Sequence, residues 1–151
     1  MDIQKIWSGF VETFDEVVVS SDWSRLEEFL TEDVRYLVSG VPFACELSGR
    51  TSVLAGLRRS VDNFDAHFDT RHYEAVASRE FPPNLIVSDV WSRYVRSGQE
   101  PLQFPVRSSF FFRDDRICLL ADCYDADAIE LQRAFAWLER NAGPYDPRYT
   151  A

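Results

Sequence analysis

The stretch Arg116-Ile117-Cys118-Leu119-Leu120-Ala121-Asp122-Cys123-Tyr124-Asp125 has the pattern of a β-strand with one acid, Asp122, inside an apolar run. A carboxylate with such neighbours either faces water at a sheet edge or is buried with a raised pKa. Buried acids of the second kind are frequent at functional sites. Asp122 is therefore the first candidate for a functional residue, and the sheet around it decides between the two alternatives.

Three upstream segments share the strand-like pattern of 116–124. They cover 71–79, 85–96 and 103–113, and turn-forming residues separate them. Because the connections are short, the four strands are expected to form an antiparallel meander.

Helices surround this meander in the sequence. Apolar residues at helical spacing predict helices over 3–18, over 23–30 after a cap at Ser21 or Asp22, over 48–64 and over 126–141. Two β-rich runs, at 34–38 and 43–47, predict a hairpin. This order predicts an α+β fold in which three to four helices wrap one side of a curved, antiparallel or mixed sheet. A curved sheet closed on one side by helices has the shape of a cone, and the open end of the cone is expected to form a pocket. The whole of 1–151 is expected to be one domain, with an irregular tail at 143–151.

Composition limits the classes of partner. The net charge of −9 disfavours nucleic acid and membrane surfaces, and the 15% aromatic content suits a small apolar organic ligand. No apolar run is long enough for a membrane helix, and the first residues lack a signal-peptide pattern, which predicts a cytoplasmic protein. No metal-ligand spacing and no glycine-rich phosphate loop occur, so neither metal nor cofactor is expected.

Three short motifs carry a resemblance to a known family. They are Asp33-Val34-Arg35-Tyr36, Ser48-Gly49-Arg50 and Asp122-Cys123-Tyr124-Asp125. In this order the chain resembles the nuclear transport factor 2-like superfamily, and within it the SnoaL-like proteins. The resemblance implies a cone-shaped fold of the cystatin-like class and a homodimer. It also implies an apolar interior that hosts isomerases, dehydratases, epoxide hydrolases and cyclases in some members, and no chemistry in others.

Two groups of enzymes within that superfamily place acids differently from this chain. Ketosteroid isomerases have two acids and a tyrosine in their sites. At the positions where this chain resembles them, it has Val38 or Ser39 for the first acid, Phe14 for the tyrosine and Ser108 for the second acid. Limonene epoxide hydrolases are similar in having an acid at Asp122, but their arginine and aspartate pair corresponds to Asp89 and Trp91. Neither mechanism has its complete set of groups here.

Two further groups leave candidates for a partner of Asp122. SnoaL-type cyclases resemble the chain in the acid at Asp122, yet their histidine is missing from the strand at 103–113. Scytalone dehydratase resembles the segment Thr70-Arg71-His72-Tyr73, where a pocket histidine begins a long strand. His72 could then exchange a proton with Asp122. The alternate residues of that strand, which include Tyr73, are more apolar and are expected to face the core. His72 would then point outward.

Strand alternation predicts which side chains share the pocket. Asp122 and Tyr124 have the same parity, as do Ser108 and Phe110, and the resemblance favours Asp89, Trp91 and Arg93 on the inner face. Asp89 and Arg93 could alternatively form a structural ion pair. The predicted catalytic residues are Asp122, His72 and Tyr124, and the predicted binding residues are Tyr36, Asp89, Trp91, Arg93, Ser108, Phe14, Trp23 and Phe110.

Two hypotheses of function follow. The first is a cofactor-free lyase, isomerase or cyclase that acts on a small apolar oxygenated molecule by general acid-base catalysis at Asp122. The second is a non-catalytic ligand-binding or dimerisation module of the same fold. A third possibility is that the open sheet face binds a protein partner, because its residues, such as Arg71, Arg107, Phe111 and Arg113, are mixed polar and aromatic and compatible with a homodimer interface.

Overall fold

The computed structural model of the chain describes residues 2–141, 143 and 145–151. Its α-helices are α1 (Ile3–Ser20), α2 (Arg50–Asn63) and α3 (Ile129–Arg140), and two short 3₁₀ helices cover Trp23–Phe29 and Asp65–His67. Its strands are β1 (Leu30–Ser39), β2 (Cys45–Ser48), β3 (Thr70–Phe81), β4 (Leu85–Val95), β5 (Leu102–Arg113) and β6 (Arg116–Cys123). The predicted α+β class and the order of elements are confirmed.

The six strands form one curved mixed sheet in the order β2-β1-β6-β5-β4-β3. The predicted meander is confirmed, because β3, β4, β5 and β6 pair with their sequence neighbours in antiparallel fashion. The predicted hairpin is also confirmed by the antiparallel pairing of β1 with β2. The exception is the parallel pairing of β1 with β6, which places the first strand beside the last. Residues from the two ends of the chain therefore meet in the centre of the sheet.

The segment before β1 differs from the prediction. The second helix is a 3₁₀ helix rather than an α-helix, and Leu30, predicted as its last residue, begins the strand. Leu30 is fully buried and pairs with Ile117 on β6. Burial of an apolar side chain against the sheet thus outweighs the helical spacing of the segment.

Helices cover one face of the sheet. The side of α1 that carries Ile3, Phe10 and Val17 is buried, and Asp2 caps the helix by accepting a hydrogen bond from the backbone N–H of Lys5 at 3.1 Å. α2 contributes Val53 and Leu57 to the same core. The opposite face of the sheet has no helix against it among the described residues, and its side chains alternate with those of the core.

The tail residues that the structure describes, 143 and 145–151, contain no helix or strand. Pro144, which the sequence pattern includes in this tail, lies outside the described residues. Within the described ranges, none of the helices is long and apolar enough to cross a membrane. The tail matters for the interior because Tyr149 packs its ring 5.0 Å from that of Tyr36, edge to face.

Candidate functional site

A cavity of about 220 Å³ lies between the inner face of the sheet and helices α1 and α2. Its wall is mostly aromatic and aliphatic, with contributions from Phe10, Phe43, Phe104, Val106 and Leu120. An interior of this kind suits an apolar ligand, and the few polar groups in its wall determine how that ligand is oriented.

Asp122 is one of these polar groups, and its carboxylate is held by two hydroxyls. On β5, Ser108 lies directly opposite Asp122 and donates a hydrogen bond of 2.6 Å to Oδ1. On β1, the hydroxyl of Tyr36 donates to Oδ2 at 2.5 Å. Each carboxylate oxygen therefore keeps one position free for a further proton or donor.

Burial governs the electrostatics of this carboxylate. Removal from water raises the pKa of Asp122, and the hydrogen bonds from Ser108 and Tyr36 lower it only in part. Burial together with the nearby Asp122 charge also raises the pKa of Tyr36 well above its ordinary value. Asp122 thus has a higher proton affinity than a surface aspartate, while Tyr36 stays a neutral donor.

Two further tyrosine hydroxyls lie near this acid. The ring of Tyr124 packs 4.7 Å from Phe43, and its hydroxyl lies 3.5 Å from that of Tyr149. Burial raises the pKa of both phenols, so each is a neutral hydroxyl at physiological pH. Both residues line the cavity and could donate a hydrogen bond to an oxygen placed beside Asp122.

Four predicted site residues do not face the cavity. β3 pairs His72 with Arg93, and β5 pairs with β4 so that Asp89 lies opposite Arg107 and Trp91 opposite Pro105. Residues directly opposite each other lie on the same face, and this is the outer face. The expectation that His72, Asp89, Trp91 and Arg93 share a pocket with Asp122 is therefore wrong. Asp89 instead forms an exposed ion pair with Arg107, with 2.7 Å between Oδ1 and Nε.

The inner face of β4 carries the alternate set of residues. Ser88 lies opposite Ser108, and Val90, Ser92 and Tyr94 follow at two-residue intervals along the cavity wall. The two serines interrupt the apolar alternation of this strand, so the sequence pattern did not show that Ser88, Val90, Ser92 and Tyr94 form its inner face.

The three other aromatic residues that were predicted to bind a ligand lie partly in the cavity wall and partly in the core. Phe14 and Phe110 line the cavity. Trp23 is 8% exposed and packs its ring edge to face on Phe14 at 5.9 Å, so it belongs to the core and does not line the cavity.

Sequence reasoning missed a second polar cluster in the cavity wall. Asp65, in the 3₁₀ helix before β3, is buried and lies 2.8 Å from Nε of Arg71. Arg71, predicted on the outer face, is therefore wrongly assigned and points inward. Beside it, the hydroxyls of Tyr73 and Tyr94 lie 2.7 Å apart. Burial raises the pKa of Asp65 to about 6, although Arg71 and Tyr94 lower it.

One sequence signal could have located this cluster. Arg71 shares the parity of Tyr73 on β3, the parity that apolar content already identifies as inward. Asp65 has no comparable signal, because it lies in a polar turn. As for metals, no group of three or more histidine, cysteine, aspartate or glutamate residues in the described part of the chain could hold an ion.

Comparison with known proteins defines the fold. No family model and no curated protein matches the chain. Solved structures do: an NTF2-like protein from Anabaena variabilis is 17% identical, with a TM-score of 0.62 over 82% of this chain and 90% of that one. An LEH-like epoxide hydrolase from M. tuberculosis is 20% identical, with a TM-score of 0.58 over 88% and 94% of the two chains.

A third similar structure contains a small molecule. It is a protein with a ketosteroid isomerase-like fold from Catenulispora acidiphila in complex with trimethylamine, 14% identical, with a TM-score of 0.60 over 83% of this chain and 92% of that one. These similarities show that the chain has the nuclear transport factor 2-like fold predicted from its motifs. The fold class is thus a cone-shaped α+β protein, and identities this low carry the likeness no further than the fold.

Proposed function

We propose that the protein is a cofactor-independent enzyme of the isomerase, lyase or cyclase type, which acts on a small apolar oxygenated molecule through Asp122. The observation that carries the proposal is the carboxylate of Asp122 in an aromatic cavity wall, positioned by hydroxyls of Tyr36 and Ser108, with a pKa raised by burial. A carboxylate whose proton affinity is raised in this way can both accept a proton and return it.

The three reaction types share one step, the removal of a proton from the carbon next to a carbonyl. Asp122 accepts that proton, the electron pair of the C–H bond forms a C=C bond to the carbonyl carbon, and the π pair of the carbonyl moves to its oxygen, which gives an enolate. The neutral hydroxyls of Tyr124 and Tyr149 are then donors for the developing negative charge. Return of the proton from Asp122 to another carbon gives isomerisation. Loss of a β-hydroxyl, which takes that proton and leaves as water, gives dehydration. Attack of the enolate carbon on a second carbonyl, whose oxygen takes the proton, gives cyclisation.

The structural neighbours support a small-molecule role for the cavity. One is described as an epoxide hydrolase, and another has an isomerase-like fold and holds trimethylamine. Each of these descriptions belongs to the neighbour, and the assignment to this chain depends on the geometry at Asp122.

Exchange of hydrogen for deuterium tests the shared step without knowledge of the natural substrate. In deuterium oxide, the protein is expected to accelerate exchange of the acidic α-protons of β-tetralone, followed by proton NMR. Asp122→Asn removes the base and is expected to lower the enzymatic rate by a factor of at least about 100. The variant should still melt cooperatively, because a neutral side chain carries no burial penalty for charge.

Asp89→Asn is the matched control, since it makes the same change in an exposed outer-face ion pair. It is expected to keep the wild-type exchange rate. If Asp122→Asn catalyses exchange at the wild-type rate, Asp122 is not the base.

A non-catalytic ligand-binding module is the second candidate, favoured by one specific observation. Both oxygens of Asp122 already accept a hydrogen bond, as expected for an acid that only organises the cavity. This candidate predicts that any ligand copurifying with the protein is recovered unchanged after incubation, as measured by mass spectrometry. Formation of a product would contradict it.

The proposal includes a homodimer through the outer face of the sheet. Trp91, Phe111, Leu119 and Ala121 are half-buried there and lie on adjacent strands. The exposed Arg107–Asp89 pair lies among them and provides a polar element. Partly exposed aromatic and aliphatic side chains with polar neighbours have the composition of a protein interface.

A further inference from the structure

The cavity has a second polar region, away from Asp122 and centred on Arg71 of β3. The side chain of Arg71 is only 9% exposed. Its guanidinium carbon lies 3.8 Å from the ring centroid of Tyr73 and 5.3 Å from that of Phe14, so aromatic faces cover it. The cavity wall therefore holds a fixed positive charge that water scarcely reaches.

The hydrogen bonds of this guanidinium are incomplete. Nη1 donates to Oδ1 of Asp15 on α1 at 3.2 Å. Nε lies 2.8 Å from Oδ2 of Asp65 but lacks the alignment of a hydrogen bond, and Nη2 has no partner among the described residues. Buried donors without acceptors are costly, and the large majority in proteins have a partner. An acceptor brought by a ligand would complete this set.

The charges around Arg71 decide which kind of acceptor fits. At neutral pH Asp65 is mostly ionised and balances the guanidinium, and Asp15 adds a second carboxylate. A further anion would be repelled by both carboxylates at close range. An uncharged oxygen acceptor, such as a ketone, ester or amide carbonyl, accepts a hydrogen bond without that cost.

The distance between the two polar regions sets the shape of the ligand. Ser88, whose hydroxyl also lacks a partner among the described residues, lies opposite Ser108 at the Asp122 end. Tyr73, beneath the guanidinium, pairs with Ser92, four residues further along β4. Four residues of a strand span roughly 13 Å. The wall between them is apolar, with Val90 and Phe104 on its surface.

We propose that Arg71 binds an uncharged carbonyl oxygen of an elongated apolar ligand whose other end lies beside Asp122. This deepens the proposed function, because it rests on the same cavity as the substrate site and adds a second oxygen to the class of substrate. Arg71 in this role holds the ligand and takes no part in proton transfer.

Binding of three naphthalene probes tests this assignment. Prodan is a dimethylaminonaphthalene with a propionyl ketone, the acyl-free dimethylaminonaphthalene lacks the acceptor, and the dimethylamino-naphthoate replaces the ketone by a carboxylate. Fluorescence titration of the wild-type protein at neutral pH is expected to give the tightest binding for Prodan. Equal binding of the acyl-free probe, or tighter binding of the naphthoate, would overturn the proposal.

Arg71→Met retains an apolar stem and removes all donors. It is expected to weaken Prodan binding by about tenfold to a hundredfold, the effect of one hydrogen bond to a charged group, and to change binding of the acyl-free probe by less than about twofold. Unchanged Prodan binding would overturn the assignment. In Arg71→Met the buried Asp65 carboxylate has lost its partner, which could prevent folding. In that case the double variant Asp65→Asn with Arg71→Met removes both members of the pair. It should show the same weaker binding of Prodan and the same nearly unchanged binding of the acyl-free probe.

Two further variants separate this result from others. Arg107→Met removes an arginine from an exposed ion pair with Asp89 on the outer face and is expected to bind Prodan like the wild type. Asp122→Asn is expected to slow β-tetralone exchange by the factor of at least about 100 given above, while retaining Prodan affinity within about threefold. Failure of the Arg71 assignment and failure of the Asp122 chemistry therefore give different outcomes.

Discussion

The hydroxyl of Tyr36 donates a hydrogen bond of 2.5 Å to Oδ2 of Asp122, although one residue lies in the first strand and the other in the last. The parallel pairing of β1 with β6 makes this contact, because it places Val38 opposite Asp122 and Tyr36 opposite Leu120 on the same face. Tyr36 is 2% exposed, so its hydroxyl has little access to water. The proton affinity of Asp122 therefore depends on a donor from a distant part of the sequence.

Removal of that donor is expected to shift the pH dependence of proton exchange. A base must be ionised to act, and hydrogen bonds from Tyr36 and Ser108 stabilise the ionised form of Asp122. Tyr36→Phe and Ser108→Ala should each move the acidic limb of the β-tetralone exchange profile to higher pH. Tyr149→Phe is the comparison variant: it removes a proposed enolate donor that makes no hydrogen bond to the Asp122 carboxylate, so it should slow exchange while leaving the limb in place. A limb that stays fixed or moves to lower pH in both variants would contradict the role given to these donors.

Asp65 is expected to make folding stability fall as pH rises from about 4 to about 6. Its pKa is about 6 in the folded protein against an ordinary value of 3.8, so the folded state holds a proton that the unfolded state has lost. The corresponding loss of stability across this window is on the order of 3 kcal/mol. Asp65→Asn should show a smaller loss in urea titrations at several pH values.

Asp89→Asn is the control for this stability measurement. The hydrogen bond from Arg107 lowers the pKa of Asp89, so its contribution is present above the ordinary value of 3.8 and is lost only below it. The variant should keep the wild-type slope between pH 4 and 6. Identical slopes in wild type and Asp65→Asn would show that the Asp65 proton does not distinguish the two states.

A pair of phenylalanines tests the position of the core. Phe112 on β5 is 1% exposed, whereas Phe81 at the end of β3 is 47% exposed. Phe112→Ala is expected to lower the free energy of unfolding by about 3–5 kcal/mol, because it leaves a cavity. Phe81→Ala should cost less than about 1 kcal/mol. Similar costs in chemical denaturation would mean that the inner and outer faces are assigned incorrectly.

Gly40 is expected to be irreplaceable for a reason that involves the site. Its φ is +101°, and a Cβ there would lie 2.6 Å from the backbone oxygen of Tyr124. Gly40→Ala should cost roughly 2–4 kcal/mol and slow β-tetralone exchange by displacing Tyr124. Gly98→Ala has a φ of +79° and open space around it, so it should cost only about 1 kcal/mol and leave exchange unchanged. Equal losses of stability and of exchange rate in Gly40→Ala and Gly98→Ala would show that displacement of Tyr124 is not the cause.

The proposed homodimer predicts that size-exclusion chromatography with light scattering gives twice the 17.5 kDa chain mass, and that this mass does not change with protein concentration. Ala121→Glu would place a charge in the centre of the outer face and is expected to give the monomer mass. Val19→Glu makes the same kind of change at an 88% exposed position of α1 and should leave the dimer intact. A wild-type mass of one chain would refute the dimer.

The sequence by itself determined the sheet meander, the order of elements, the inner parity of β5 and the inward direction of Asp122 near the end of β6. These features follow from local rules: side chains alternate along a strand, helices repeat their apolar residues every three to four positions, and short turns force antiparallel neighbours. Asp122 could be identified for the same reason, since an acid inside an apolar strand is visible without its surroundings.

Only the tertiary structure decided what surrounds Asp122. The parallel pairing that brings Tyr36 to it, and the return of the tail that brings Tyr149, are contacts between distant segments that leave no local pattern. On β4, Ser88 and Ser92 face the cavity and interrupt the apolar alternation, so the register of hydrogen bonds alone fixed Asp89 on the outer face. Arg71 lies inside because Asp65, Asp15 and two aromatic rings compensate its burial together, and no short stretch of sequence contains that whole set.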